Sequence, residues 1–296
     1  MRLPPVLIPL VACAACSAPA SSEPRNHQAK AQAPSSPYAD HIAKLRKRLA
    51  KLGMRDVEIR VEDPFVVVGD GTAEDLVHDA STVRWAVEHL EADFFTARPT
   101  RVLDVYLFRD ADSYEAGVKR LTGDAPSTPY GFYSAANNGL FMNIGTGGGT
   151  LVHEIVHPYV EADFPDAPAW LNEGLGSLFE QSATTSDGHI IGLTNWRLGG
   201  LKRAIAENRV PTFKALTHLA DDAFYADDTG VNYAASRYLL YYLQEQGKLR
   251  EFYSAFRAAR AKDPSGYATL VATLGAPDMA KFEASWRQYV GKLSFP

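Results

Sequence analysis

Residues 151–160 leave a folding chain little choice. Leu151, Val152, Ile155, Val156, Tyr159 and Val160 recur at helical spacing as a wide apolar stripe, with His153 and His157 on its flank. On a helix, positions i and i+4 stand one above the other. The two imidazoles therefore share a face, with Glu154 beside the first. A helix this apolar is mostly buried, and its imidazoles are held rigidly. Gly145-Thr146-Gly147-Gly148-Gly149 lets the chain turn sharply into its start. That nearby helix start disfavours an imidazolium, which predicts a neutral His153. Pro158 removes the hydrogen bond to the Glu154 carbonyl and predicts a kink just after His157.

Two imidazoles at this spacing are suited to gripping one metal ion while Glu154 faces the open side of the site. Further on, Phe164-Pro165-Asp166-Ala167-Pro168 reads as a turn. Asp166 is placed to cap the next helix and Pro168 to occupy its first turn. Trp170, Leu171, Leu175, Leu178 and Phe179 pack that helix inward. Glu173 then projects from a helix lying against the first and offers a third ligand. The chain has two cysteines, Cys13 and Cys16. No thiolate is available in the body, so histidine and carboxylate must hold any metal. A two-histidine, one-glutamate set leaves a fourth position on zinc for water. Zinc brings the pKa of such a water to about 7, within the reach of Glu154 as base.

His153-Glu154-x-x-His157, fifteen intervening residues, then Glu173 within Trp170-Leu171-Asn172-Glu173-Gly174, resembles the gluzincin metallopeptidases. The nearest pattern is that of the peptidase-MA-like bacterial proteins, with a more distant likeness to the aminopeptidase N branch. The resemblance implies Zn2+ held by His153, His157 and Glu173, with Glu154 as general base. It implies a tyrosine downstream that steadies an oxyanion. Tyr233, sixty residues past Glu173, is the first choice, with Tyr238, Tyr225 or a purely packing role as alternatives. It also implies a strand before the metal helix that lines a substrate groove. Gly139, Leu140, Phe141, Met142 and Asn143 occupy that place, the alternative being an ordinary internal strand. No Gly-x-Met-x-Asn exopeptidase signature is found. Glu180, two turns beyond Glu173, is placed either to hydrogen-bond a ligand histidine or to lie on the surface.

The expected fold class is α+β, with a small mixed sheet and helices, then a zincin-type metal helix and a mostly helical C-terminal half. Strands are expected at Val57–Val61, Phe65–Val68, Val102–Phe108, Gly131–Ser134 and Gly139–Asn143. Ala73–Phe95 reads as a long helix and Thr184–Leu193 as a loop or small hairpin. Residues 38–145 form an N-terminal α+β subdomain and 146–296 a helical metallopeptidase subdomain, the two making one catalytic unit. Residues 1–16 read as an export signal, with Leu10-Val11-Ala12-Cys13 resembling a bacterial lipobox. Cys13 is the expected lipidation site, Cys16 a weaker one, and plain secretion the alternative. Residues 17–37, rich in Ala, Ser, Pro and Gln, read as a disordered tether. The expected location is the periplasm or outer membrane, through a lipid anchor. The basic face of the following helix (Lys44, Arg46, Lys47, Arg48, Lys51) is a solvated surface or lies near an anionic membrane.

A formal net charge of −5 argues against a nucleic-acid partner. His78, His89, His189 and His218 have no partner at ligand spacing. Asp221-Asp222 and Asp227-Asp228 read as a solvated loop, or as a site for calcium or basic substrate residues. Ser134, Ser177 and Ser236 lie in no nucleophile-elbow context. The leading expectation is a zinc metallopeptidase acting on a peptide or protein. The alternatives are a lipoprotein of the same fold that acts as a binding or assembly factor, and a zinc hydrolase of another amide, such as a cell-wall bond.

Overall fold

The computed structural model describes residues 36–227 and 229–295. The leader with Cys13 and Cys16, and nearly all of the tether, lie outside them. The described residues fall in one compact unit.

The first half builds a five-stranded mixed sheet. Its strands are β1 (Glu58–Glu62), β2 (Phe65–Gly69), β3 (Leu103–Phe108), β4 (Gly131–Ser134) and β5 (Gly139–Asn143), in the order β1-β2-β3-β5-β4. The inner pairs β2–β3 and β3–β5 are parallel, and the outer pairs are antiparallel. The apolar runs Phe65–Val68 in β2 and Val105–Phe108 in β3 suit strands covered on both faces. Phe65, Val67, Val105 and Leu140 point into one core, and Val66, Val68, Tyr106 and Phe141 into another. The second core is closed by α1 (Ser36–Lys51) and α3 (Ala111–Thr122). The first is closed by α2 (Ala73–His89) and α4 (Gly148–Asp163), the helix that carries His153 and His157. The fold class is therefore α+β, as the patterning implies.

The second half is almost all helical. It contains α5 (Ala169–Phe179), a hairpin of β6 (Ser182–Thr184) and β7 (Ile190–Gly192), and α6 (Arg197–Ala206). There follow the short α7 (Phe213–Thr217) and α8 (Asp221–Tyr225), then α9 (Val231–Glu245), α10 (Leu249–Ala259), α11 (Tyr267–Leu274) and α12 (Met279–Lys292). α4 packs against α2 and α5, and α5 packs against α9. No described helix is long and apolar enough to cross a membrane.

Two local expectations change. The long helix from Ala73 stops at His89 and continues as a π-helical turn, Leu90–Phe94. α5 is capped by Asp221, whose carboxylate accepts the Ala169 N–H at 3.2 Å, rather than by Asp166. The acidic residues before α9 thus brace the fold. Asp227 likewise accepts the N–H groups of Thr229 and Asn232.

The far end of α4 is pinned by Asp163. Its buried carboxylate accepts from Thr96 Oγ1 (2.6 Å), Ala97 N (2.8 Å) and Tyr253 Oη (3.0 Å), and pairs with Arg257 at 2.5 Å. Burial alone would raise its pKa, but these donors and the Arg257 charge outweigh burial and hold it below the ordinary value. A carboxyl depressed in the folded state stabilises fully above its unfolded pKa of about 3.9, and that stability is lost as pH falls through the folded value. Asp163→Ala leaves several donors and one cation unpaired. It should cost about 3 to 5 kcal/mol in urea unfolding at pH 7. The difference from wild type should shrink as pH falls below about 4.

Candidate metal centre

Positive φ at Gly147 (105°) is the turn that starts α4, a backbone geometry that strongly favours glycine there. From that start, residues 151–160 are buried without exception. The helix carries Pro158 in its interior and runs on to Asp163. α5 crosses close to it because Gly176 lacks a side chain. A Cβ there would stand 3.0 Å from both Cδ2 and Nε2 of His153.

That approach brings the three expected ligands together. Glu173 Oε2 lies 3.1 Å from His153 Nε2 and 3.9 Å from His157 Nε2. Neighbouring donors of a tetrahedral zinc at its usual bond lengths stand ~3.3 Å apart, between these two values. The residues fit a zinc-sized cation. His157 Nδ1 contacts Asn172 Oδ1 at 2.9 Å. An Nδ1–H donated to that carbonyl leaves the Nε2 lone pair on the side of Glu173. Asn172 and Glu173 are adjacent on α5 and thus engage different atoms of one imidazole. The role of Asn172 is not evident in the sequence, where its place beside Glu173 is the available signal.

Glu154 is also at the cluster. Donor atoms of His153, Glu154 and His157 lie within 4.8 Å of one another, a group able to hold a metal ion. Glu154 Oε2 accepts the Tyr133 backbone N–H at 2.8 Å and stands 3.6 Å from His157 Nε2. Glu173 Oε2, by contrast, faces both imidazoles. Both carboxylates thus stand at the imidazole pair, Glu173 Oε2 between the two rings and Glu154 beside His157.

The charge balance is that of a cation site. Burial alone would lower the His153 pKa. The hydrogen bond that His153 donates to Glu173 and the charges of Glu154, Glu173 and Glu180 overcome burial and raise it. In the metal-free protein the helix start therefore does not set the charge balance at His153. His153 sits beyond the first turn, where the dipole has faded, and carboxylates dominate. Burial raises the Glu173 carboxyl, but His157 and His153 bring it down to about 2.

Glu180 lies 3.9 Å from His153 Nδ1, outside hydrogen-bond reach. Its oxygens are held instead by Trp196 Nε1 (2.9 Å) and by Arg197 Nε and Nη2 (3.3 and 3.2 Å). It is neither a hydrogen-bond partner of the ligand nor a free surface carboxylate. Its charge bears on His153, and its position is fixed by two residues that sequence reasoning missed.

The three candidate tyrosines stand in different places relative to the cleft. The Tyr225 hydroxyl donates to Glu173 Oε1 at 2.9 Å, which leaves Oε2 for the imidazole side. Tyr233 lines the same cleft, and burial and then the Glu173 charge raise its pKa, keeping its hydroxyl a donor. Tyr238 is buried away from the cleft, with its hydroxyl on Asn195. Tyr225→Phe frees Glu173 Oε1 and should weaken metal affinity about tenfold, measured by competition with a metal-chelating dye.

The strand Gly139, Leu140, Phe141, Met142 and Asn143 does not line the groove as an edge. β3 and β4 pair with its two sides, and all five residues are buried. The edge strand is β4. Tyr130 O accepts Asn143 N, so alternate residues turn inward. Gly131 and Tyr133 therefore turn their backbone groups outward, toward the cleft. The cleft has a volume of about 1090 Å3. Tyr130 to Tyr133 form one wall, the metal cluster the floor, and Trp196, Arg197, Tyr225 and Tyr233 the other side. No curated protein matches the chain. The family described as "Protein of unknown function (DUF1570)" matches residues 149–265, a stretch that holds His153, Glu154, His157 and Glu173 together with both cleft tyrosines, Tyr225 and Tyr233.

Proposed function

We propose that the protein is a zinc-dependent metallopeptidase of gluzincin type. The observation that carries this reading is the convergence of His153, His157 and Glu173, with Glu154 beside them, on the floor of a cleft walled by a strand edge. A zinc ion bound by those three residues supplies Lewis acidity toward water and the scissile carbonyl. Glu154 takes the proton of the attacking water at its carboxylate and returns it to the leaving amine. The Tyr133 N–H fixes the orientation of that carboxylate. Tyr233 donates its hydroxyl to the oxyanion of the tetrahedral intermediate. Gly131, with its backbone turned outward, pairs with an extended peptide and sets it across the floor.

The export signal and lipidation of Cys13 belong to the same proposal. They place the enzyme in the bacterial envelope, on an outer-membrane tether. Purified protein should cleave members of a mixed peptide library. A chelator should abolish new peptide ends, and stoichiometric zinc should restore them. A library left intact by the zinc-loaded protein would overturn the reading.

A further inference from the structure

Four aromatic side chains are exposed among the described residues: Tyr130, Trp196, Tyr225 and Phe295. Three of them, all but Phe295, line the metal cleft. They come from separate elements: the segment entering β4, the turn before α6, and α8. Trp196 stands out among them. Trp170 and Trp286 are 1% exposed, whereas Trp196 is 57% exposed.

Trp196 is also fixed. Its indole N–H donates to Glu180 Oε1 at 2.9 Å. The guanidinium of Arg197 lies 4.3 Å from its ring centroid. The Arg197 charge is in turn held by Glu180 Oε2. An exposed indole locked by a hydrogen bond and a cation over one face loses little entropy when a ligand covers it. Such aromatic anchors dominate recognition surfaces. Position matters as much as rigidity, because the same Glu180 carboxylate reaches to 3.9 Å from His153 Nδ1. The platform therefore adjoins the metal floor across one carboxylate.

We infer that Trp196 is a specificity platform that takes a bulky apolar side chain of the peptide close to the scissile bond. The inference rests on the metallopeptidase reading and adds the substrate class. A sugar ring would also stack on an indole, but it needs polar partners for its hydroxyls. Both oxygens of Glu180, the acceptor bonded to the indole, are already engaged by Trp196 and Arg197. An apolar side chain makes no such demand.

The test measures binding rather than turnover. The full chain carrying Glu154→Gln is titrated with capped hexapeptides that place Leu or Phe against Ser at one position at a time, with calorimetry and tryptophan emission as readouts. At one position, the Leu or Phe peptide should bind about tenfold more tightly than its Ser counterpart and shift the emission saturably. Trp196→Ala should erase that preference, while Trp196→Phe, which keeps a ring, should retain most of it. A thermal melt of each variant checks that it is folded. The inference is overturned by equal affinities at every position. It is equally overturned by a preference that survives Trp196→Ala, or by a chitooligosaccharide binding more tightly than any peptide. Lack of preference leaves the hydrolase reading standing. A preference in a wild-type protein that cleaves nothing removes the hydrolase reading and leaves the platform.

Discussion

Glu154→Gln should lower the rate of peptide cleavage about a thousandfold, within the 10²- to 10⁴-fold range of general acid–base catalysis. The substitution is nearly isosteric. The side-chain carbonyl of glutamine can still accept the Tyr133 N–H that holds Glu154 Oε2 at 2.8 Å. The wall of the cleft and the packing of α4 should be undisturbed, and peptide affinity should change little. What is lost is the group able to accept a proton and hand it on. A loss confined to kcat is the signature of a base. A variant cleaving as fast as wild type would remove Glu154 from the chemistry.

Glu173→Gln should act on the other half of the site, the metal itself. Removing partners that merely orient a ligand costs 10- to 100-fold in metal affinity. Removing the charge of a ligand should cost more, at least about a hundredfold. Glutamine preserves the shape, and its carbonyl can still accept from Tyr225. The variant therefore removes both the charge and the acceptor oxygen that stands 3.1 and 3.9 Å from the two buried imidazoles. In the metal-free protein the same charge raises His153. Cleavage by Glu173→Gln should be absent at low zinc and partly recovered at high zinc, which separates it from Glu154→Gln.

Much of the metal centre was legible because helical periodicity is a strong local signal. The stripe from Leu151 to Val160 required a buried helix, and Trp170 to Phe179 required a second one facing it. Those two constraints alone bring Glu173 toward His153 and His157. What escaped the sequence depends on through-space order. β4 and β5 follow each other in the chain, and which of them is the edge is decided by the pairing of β5 with β3. The continuous apolar run Leu140-Phe141-Met142 was the clue to an interior strand, since an edge strand alternates. Tyr225 and Tyr233 lie on neighbouring helices, and only the packing of α8 decides that Tyr225 meets Glu173. Neither alternative for Glu180, a partner of a ligand histidine or a surface carboxylate, captures its place, because Trp196 and Arg197 arrive from beyond a hairpin whose course has no sequence signature. The balance of charges around His153 escapes for the same reason. A helix dipole is visible in one segment, whereas three converging carboxylates are a property of the whole fold.

The donor set is the claim on which the rest stands, and zinc affinity discriminates it directly. Competition titrations of wild type, Glu154→Gln and Glu173→Gln against one chelating dye should show wild type and Glu154→Gln binding one equivalent with similar affinity. Glu173→Gln should bind at least about a hundredfold more weakly. The reverse order, with Glu154→Gln losing the metal and Glu173→Gln keeping it, would contradict the account, as would a wild-type protein that binds no zinc.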